Sequence, residues 1–166
     1  MAIEAVKAYF SQFGMEKNIR EFSVSSATVD LAAEALGCPG CRIAKSLAFR
    51  LNEGPILVVA AGDAKVDNAK YKARFGEKAK MLSPEDTLSQ VGHAVGGVCP
   101  FAVKAGVRVY LDESLKRFST VFPACGSSNS AIELTIPELE RYSAAAGWVD
   151  VCKNWSGEEK QENAGA

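Results

Sequence analysis

Residues 42–61 read RIAKSLAFRLNEGPILVVAA, and this stretch decides the fold class. Its second half, from Ile56 on, is an apolar run rich in β-branched residues, the composition of a buried strand. The first half, Arg42 to Leu51, also reads as a strand, although Ile43, Ser46 and Phe49 do not alternate cleanly and leave its faces unassigned. A short Gly-containing turn, Asn52 to Pro55, joins the two and predicts a hairpin.

Working outward toward the N-terminus, Ser26 or Thr28 caps a predicted helix over 28–36 that Gly37 ends. REFSVS (20–25) has the period of a short strand. Ile3, Val6, Phe10 and Phe13 lie at helical spacing ahead of Gly14, predicting a first helix over 2–13. Toward the C-terminus, Asp67 caps a helix running to about Phe75, and a short strand is expected near 80–82. Ser83, Pro84 and Asp86 then start another helix in a capping-box variant. Strands are predicted at Val107–Leu111, Thr120–Cys125, SAIELT (130–135) and WVDV (148–151). A short turn or helix covers Asp112–Lys116, and a Thr135–Glu138 capping box opens a helix to about Ala145. Short strands joined partly by hairpins and partly by helices point to an α/β fold with a compact mixed, barrel-like sheet and surrounding helices. Residues 1–152 are expected to form a single domain and residues 153–166, which lack periodicity, a disordered tail.

The 166 residues suit one domain with a sizeable core. Nineteen Lys and Arg against 20 acidic residues leave a net charge of −1, so the molecule as a whole is not an electrostatic nucleic-acid binder and any RNA contact needs a local patch. No apolar run approaches the ~20 residues of a membrane span, and the N-terminus lacks a signal-peptide core. A cytoplasmic location and no membrane partner are expected. Five cysteines, an odd number, argue for thiols rather than a disulfide framework.

Val91–Ala102, VGHAVGGVCPFA, concentrates Gly92, Gly96 and Gly97 ahead of Pro100. Such a loop exposes main-chain amides and can polarise a carbonyl or hold an anion without a charged side chain, although it lacks the Lys-Ser/Thr ending of a nucleotide P-loop. Within it, His93 is the only histidine, so any Ser-His or Cys-His machinery depends on it, but a hydrogen-bonded structural role is the better expectation. Cys99 is either a nucleophile or a small side chain lining a pocket. Lys45 either snorkels to the surface or waits in a cleft for an anion. Cys38 and Cys41 form C-P-G-C, the spacing of a redox dithiol or half a zinc site, yet the motif follows a helix terminator and enters a strand, the reverse of the redox arrangement. Between Lys65 and Lys80 six basic residues face Asp67 and Glu77, a surplus that is either a solvated face or an RNA contact.

Taken in order, GCPGCRIAKSLAF (37–49), ILVVAAGDAKVD (56–67), GGVCPF (96–101), VYLDESL (109–115) and GSSNSAIEL (126–134) resemble the YbaK/EbsC family of aminoacyl-tRNA editing domains, the insertion-domain family associated with prolyl-tRNA synthetase. The resemblance spans roughly residues 20–150. It implies hydrolysis of the ester between a wrong amino acid and the terminal adenosine of a tRNA, with mischarged tRNA and a synthetase as partners and without metal, cofactor or protein triad. It places the family's lysine on Lys45, facing the terminal phosphate or ribose. Gly96 and Gly97 would polarise the carbonyl, with Val98, Cys99 and Pro100 completing the substrate loop. Gly126, Ser127, Ser128 and Asn129 would sit at the pocket's edge. Cys99 stands where relatives often carry serine, which leaves the amino acid removed open. A non-catalytic tRNA- or synthetase-binding module and a CxxC redox or zinc protein are the alternatives.

Overall fold

The computed structural model describes residues 2–155. Its centre is the expected hairpin: β2 (Ile43–Leu51) and β3 (Gly54–Ala61) pair antiparallel from Ala44↔Ala61 to Leu51↔Gly54. Around it β5 (Arg108–Asp112), β6 (Thr120–Pro123), β8 (Leu134–Thr135) and β9 (Gly147–Val149) complete a six-stranded sheet in the order β8-β6-β2-β3-β5-β9. The β2/β6, β3/β5 and β5/β9 pairs are parallel and β6/β8 is antiparallel, so the sheet is mixed and curls into a half-barrel.

Both faces of the hairpin are covered, which explains the missing alternation in 42–51. Ala44, Ala48, Leu57 and Val59 enter the core beneath α1 (Ala2–Ser11) and α5 (Ile136–Ser143), where Phe10 meets Phe101 and Tyr142 edge-on. Phe49, Leu51, Ile56 and Val58 enter a second core with Tyr71 of α3 (Asn68–Phe75). A strand buried on two sides has no polar face to display. Helix α2 (Val29–Leu36) is capped as read: the Thr28 hydroxyl accepts from Leu31 N–H and Gly37 takes the left-handed conformation at φ 69°. Thr135 and Glu138 close a complete capping box on α5.

Several expectations need correction. REFSVS contributes only β1 (Arg20–Glu21), because from Phe22 the chain bonds to a loop: Phe22 N–H donates to the Asn129 carbonyl and Ser26 N–H to that of Ser128. SAIELT is not one strand. Ser130–Ala131 (β7) pairs with β1 while β8 pairs with β6, and the chain turns between them. The strand near 80–82 shrinks to a single bridge, Phe49↔Met81. The helix at Pro84 makes one α turn (Pro84–Asp86, α4) and continues as π-helix over Thr87–Val91. Finally, Lys153 is not tail: β10 (Cys152–Lys153) pairs with β4 (Lys65–Val66), and the Arg117 guanidinium stacks 5.0 Å from the Trp155 ring. The rest of the predicted tail, 156–166, lies outside the described residues.

Buried Asp112 ties this last segment down. Its carboxylate accepts from Ser114 N–H at 3.0 Å and from Val151 N–H at 2.9 Å, joining the end of β5 to the residue before β10.

Candidate functional site

Strand β2 loses its neighbour partway along. Its parallel pairing with β6 covers Ile43 and Ala44 only. The same edge is next used where Leu82 N–H donates to the Ala48 carbonyl and Arg50 N–H to the Lys80 carbonyl. Since main-chain groups alternate sides along a strand, Ser46 presents its N–H and C=O to the unpaired gap.

A cavity of about 260 Å³ occupies that gap. One wall is the β2 edge from Ala44 to Ala48; others are Ser26–Val29 at the start of α2, Val95, Gly96 and Val98 of the glycine loop, and Phe122, Ala124 and Ser130 across the opening. Room exists because β2 turns small residues inward: Ala44 and Ala48 face the first core, and Ser46 between them shares their side. The Ser46 hydroxyl is buried there without a hydrogen-bond partner, an unmet polar group in a mainly apolar enclosure.

Lys45 is the one charged side chain among the lining residues; no carboxylate and no histidine joins it. Its ammonium donates to the Gly62 carbonyl at 3.3 Å. Burial pulls its pKa below the usual lysine value; Cys152 and Asp63 pull it back up, and nearby Lys65 adds to the lowering. The carbonyl that holds Lys45 is itself fixed by a close approach of two main chains. A Cβ on Gly62 would run into the Gly40 carbonyl, so the turn of the C-P-G-C motif seats against the turn that anchors Lys45. That contact, made by glycines, is what the motif contributes. Cys38 is half-buried and Cys41 buried, both as thiols; burial raises the Cys38 pKa, which disfavours a reactive thiolate. Among the described residues no three His, Cys, Asp or Glu side chains converge to hold a metal.

Polarising groups come from two elements. The amides of Gly96 and Val98 make no hydrogen bond among the described residues. At the start of α2, the Val29 amide is one of the first-turn donors a helix cannot satisfy internally, and it carries the positive end of the helix dipole into the cavity wall. With Lys45 they form a surface suited to a carbonyl oxygen or an anion.

The other expected site residues fall elsewhere. The Gly97 amide is already used, donating to the Ala94 carbonyl at 3.0 Å, and a Cβ there would lie 2.7 Å from the Ser127 nitrogen. Gly97 therefore clamps the loop onto 126–130 rather than opening onto the cavity. Cys99 and Pro100 are buried behind the loop. The Cys99 thiol lies 3.5 Å from His93 Nε2 and 3.7 Å from the Phe101 carbonyl, and burial pushes its pKa up to about 12, the wrong direction for a nucleophile. His93, 1% exposed, donates from Nε2 to the Phe101 carbonyl at 2.7 Å, and burial lowers its pKa, so it is the structural histidine expected. Gly126 faces the backbone of Ala2 and Ile3, at φ 92°. Ser127 bonds to Asn129 and Ser130; Ser128 and Asn129 hold the 22–26 segment. Of that loop only Ser130 reaches the cavity. The sequence reading missed Ser26, Thr87 and Phe122 as lining residues, and it took Thr28 for a cap alone. The Ala44-Ser46-Ala48 alternation of small residues was the available signal.

Residues 24–142 match the family model for the aminoacyl-tRNA editing domain. An uncharacterized protein of Bacillus subtilis, YwhH, is 57% identical over 157 residues, which is 93% of this chain and 99% of that protein. A proline--tRNA ligase of Thermotoga sp. (strain RQ2) is 33% identical over 90 residues, 54% of this chain but 15% of the ligase. A solved structure of a candidate trans-editing enzyme for prolyl tRNA synthetase superposes with a TM-score of 0.82 at 27% identity, covering 92% of this chain and 97% of that one.

Proposed function

The chain belongs to the aminoacyl-tRNA editing domain family, and we propose that it is a deacylase that hydrolyses mischarged tRNA, its substrate being tRNA(Pro) carrying a small non-cognate amino acid. The observation that carries this reading is the convergence of Lys45, the unbonded amides of Gly96 and Val98, and the α2 N-terminus on one small apolar cavity without a carboxylate or histidine.

In this reading the aminoacyl group enters the cavity and the terminal adenosine stays at its mouth, since about 260 Å³ falls just below the ~300–1,000 Å³ of pockets that enclose whole ligands. Lys45 pairs with the terminal phosphate or ribose. The Gly96, Val98 and Val29 amides face the ester carbonyl and favour the charge that grows on its oxygen as the tetrahedral intermediate forms. The attacking water gives up its proton to solvent or to the substrate's own 2′-hydroxyl, and the ribose oxygen leaves with a proton from the same pool. The protein thus supplies position and polarisation. Ser46 offers its main-chain carbonyl to the α-amino group.

The test is release of labelled amino acid from tRNA(Pro) charged separately with alanine, cysteine, serine or proline, by wild type and Lys45→Ala. Selective release of one non-proline residue that disappears in Lys45→Ala is the expected result. Binding of tRNA without turnover of any ester would instead make the protein a non-catalytic module.

A further inference from the structure

The β4/β10 ribbon places Lys65 and Lys153 directly opposite each other. Opposed residues of an antiparallel pair share one face with Cβ atoms only ~5 Å apart, and like charges there repel. Both lysines are exposed and neither ammonium has an ion pair or hydrogen bond among the described residues. The nearby carboxylates are already employed. Asp63 is held in a two-pronged contact by Arg117, Asp150 pairs with Lys70 at 3.1 Å, and Asp67 caps α3 by accepting from Lys70 N–H. Asp67 also acts electrostatically on Lys153 without bonding to it. Two like charges thus stand side by side on a short ribbon with no carboxylate bonded to either ammonium.

The ribbon's position gives the pair a use. Lys65 lies close enough for its charge to act on Lys45, a residue of the cavity wall. A file of three lysines therefore runs from the cavity outward. Two other cations of the 65–80 stretch are engaged: Lys70 is bonded to Asp150 and the Cys152 carbonyl, and Arg74 stacks on Phe75 and Tyr110.

Resting on the editing reading for the cavity itself, we infer that Lys65 and Lys153 form a phosphodiester clamp for the single-stranded RNA that leads into the site, each lysine taking one backbone phosphate. The partner is a polynucleotide strand, because two adjacent ammonium groups on a flat ribbon match successive phosphates while offering no pocket for a base. Phosphate contacts of this kind set register and contribute affinity without reading sequence.

The clamp is tested by binding an RNA hairpin with a four-nucleotide single-stranded 3′ overhang, and the same hairpin cut blunt, to wild type, Lys65→Ala/Lys153→Ala and Lys65→Arg/Lys153→Arg. Each single-strand phosphate contact contributes about 0.7 to the slope of log affinity against log salt, so the alanine pair should flatten that slope by roughly 1.4. Wild type should then lose about sevenfold more affinity than the alanine pair between 50 and 200 mM salt. The arginine pair should behave as wild type, and the blunt hairpin should barely distinguish the proteins. Relief of like-charge repulsion keeps the alanine pair at least as thermally stable as wild type. Unchanged affinity and slope in the alanine pair would overturn the clamp, and so would an equal loss for overhang and blunt hairpins. Hydrolysis of an aminoacyl-adenosine, which has no phosphate, separates the two readings. Equal turnover by wild type and the alanine pair is expected, whereas silence of wild type on aminoacyl-adenosine and on every mischarged tRNA alike sinks the editing reading and leaves the hairpins to decide the clamp.

Discussion

Gly97→Ala isolates the loop's grip on its neighbour. Gly97 has an ordinary negative φ, so the substitution brings no backbone strain and acts only through the added methyl. That methyl would sit 2.7–2.8 Å from the nitrogen, Cα and carbonyl carbon of Ser127, main-chain atoms that cannot rotate aside. Restoring normal contact requires the glycine loop and the 126–130 segment to part by somewhat under ~1 Å. Overpacking of this size costs about 1–3 kcal/mol. For a domain of this length that is a fall of roughly 2–12 °C in melting temperature. The same displacement moves the Gly96 and Val98 amides relative to Lys45, and a shift near 1 Å in a positioning element can cost ~100-fold in turnover. Thermal unfolding by circular dichroism and deacylation of a mischarged tRNA measure the two effects on one preparation. A Gly97→Ala protein with wild-type melting and wild-type turnover would refute the description of this loop as a clamp that fixes the carbonyl-facing amides.

Asp112→Ala should be among the most damaging single changes, because it strands the Ser114 and Val151 N–H groups in the interior. At about 1–3 kcal/mol for each buried donor left unpaired, a loss of roughly 2–6 kcal/mol in urea unfolding is expected, and a loss under ~1 kcal/mol would mean that water replaces the carboxylate. Lys45→Met should abolish deacylation while leaving the protein as stable as wild type or more so near neutral pH, since burial disfavours the ammonium it removes. The pH dependence carries the sign. With the folded-state pKa lowered below 10.5, the unfolded chain holds more protons between the lowered value and 10.5, so wild-type stability gains with rising pH across that window. Lys45→Met should lack this gain, and turnover that needs the ammonium should fall in wild type across the same window. A stability gain identical in both proteins would contradict the assignment.

Much of this architecture was readable from local chemistry. The hairpin, the Thr28 and Thr135 caps and the Gly37 terminator follow from propensities and short-range hydrogen bonds, and they stand where the residues indicate. The misreadings share a long-range cause. SAIELT alternates like one strand, yet Ser130–Ala131 pairs with β1 near the N-terminus while Leu134–Thr135 pairs with neighbouring β6. Lys153 looks unstructured by composition but gains a partner in Lys65, 88 positions upstream by numbering. No local period encodes such a partner. The site divides the same way. Lys45 and Gly96 meet at the cavity as the motifs suggest, while Gly97, Cys99 and Gly126 are constrained by what lies behind them. A residue close in sequence to a functional glycine can be held for packing alone.

The cavity itself follows from where β6 parts from β2. Strand β6 runs beside β2 through Phe122 and Pro123, opposite Ile43 and Ala44. That register ends at Pro123, whose own main-chain groups face the opposite edge of β6. Past it the chain swings from β2 toward the 130s: the Pro123 carbonyl accepts from Ile132 N–H, and Ala124 bridges to Ala131. The edge of β2 is left bare at Ser46, one residue beyond the lysine, and the next contact on that edge waits until Ala48. A sheet edge with unmet main-chain groups would ordinarily be filled or covered. Here α2, with its N-terminal amides, and the glycine loop close around the gap without filling it, because Ala44, Ser46 and Ala48 are too small to do so. The chemistry proposed for this protein therefore sits where the fold stops satisfying its own backbone, at the point where β6 parts from β2 beyond Ala44.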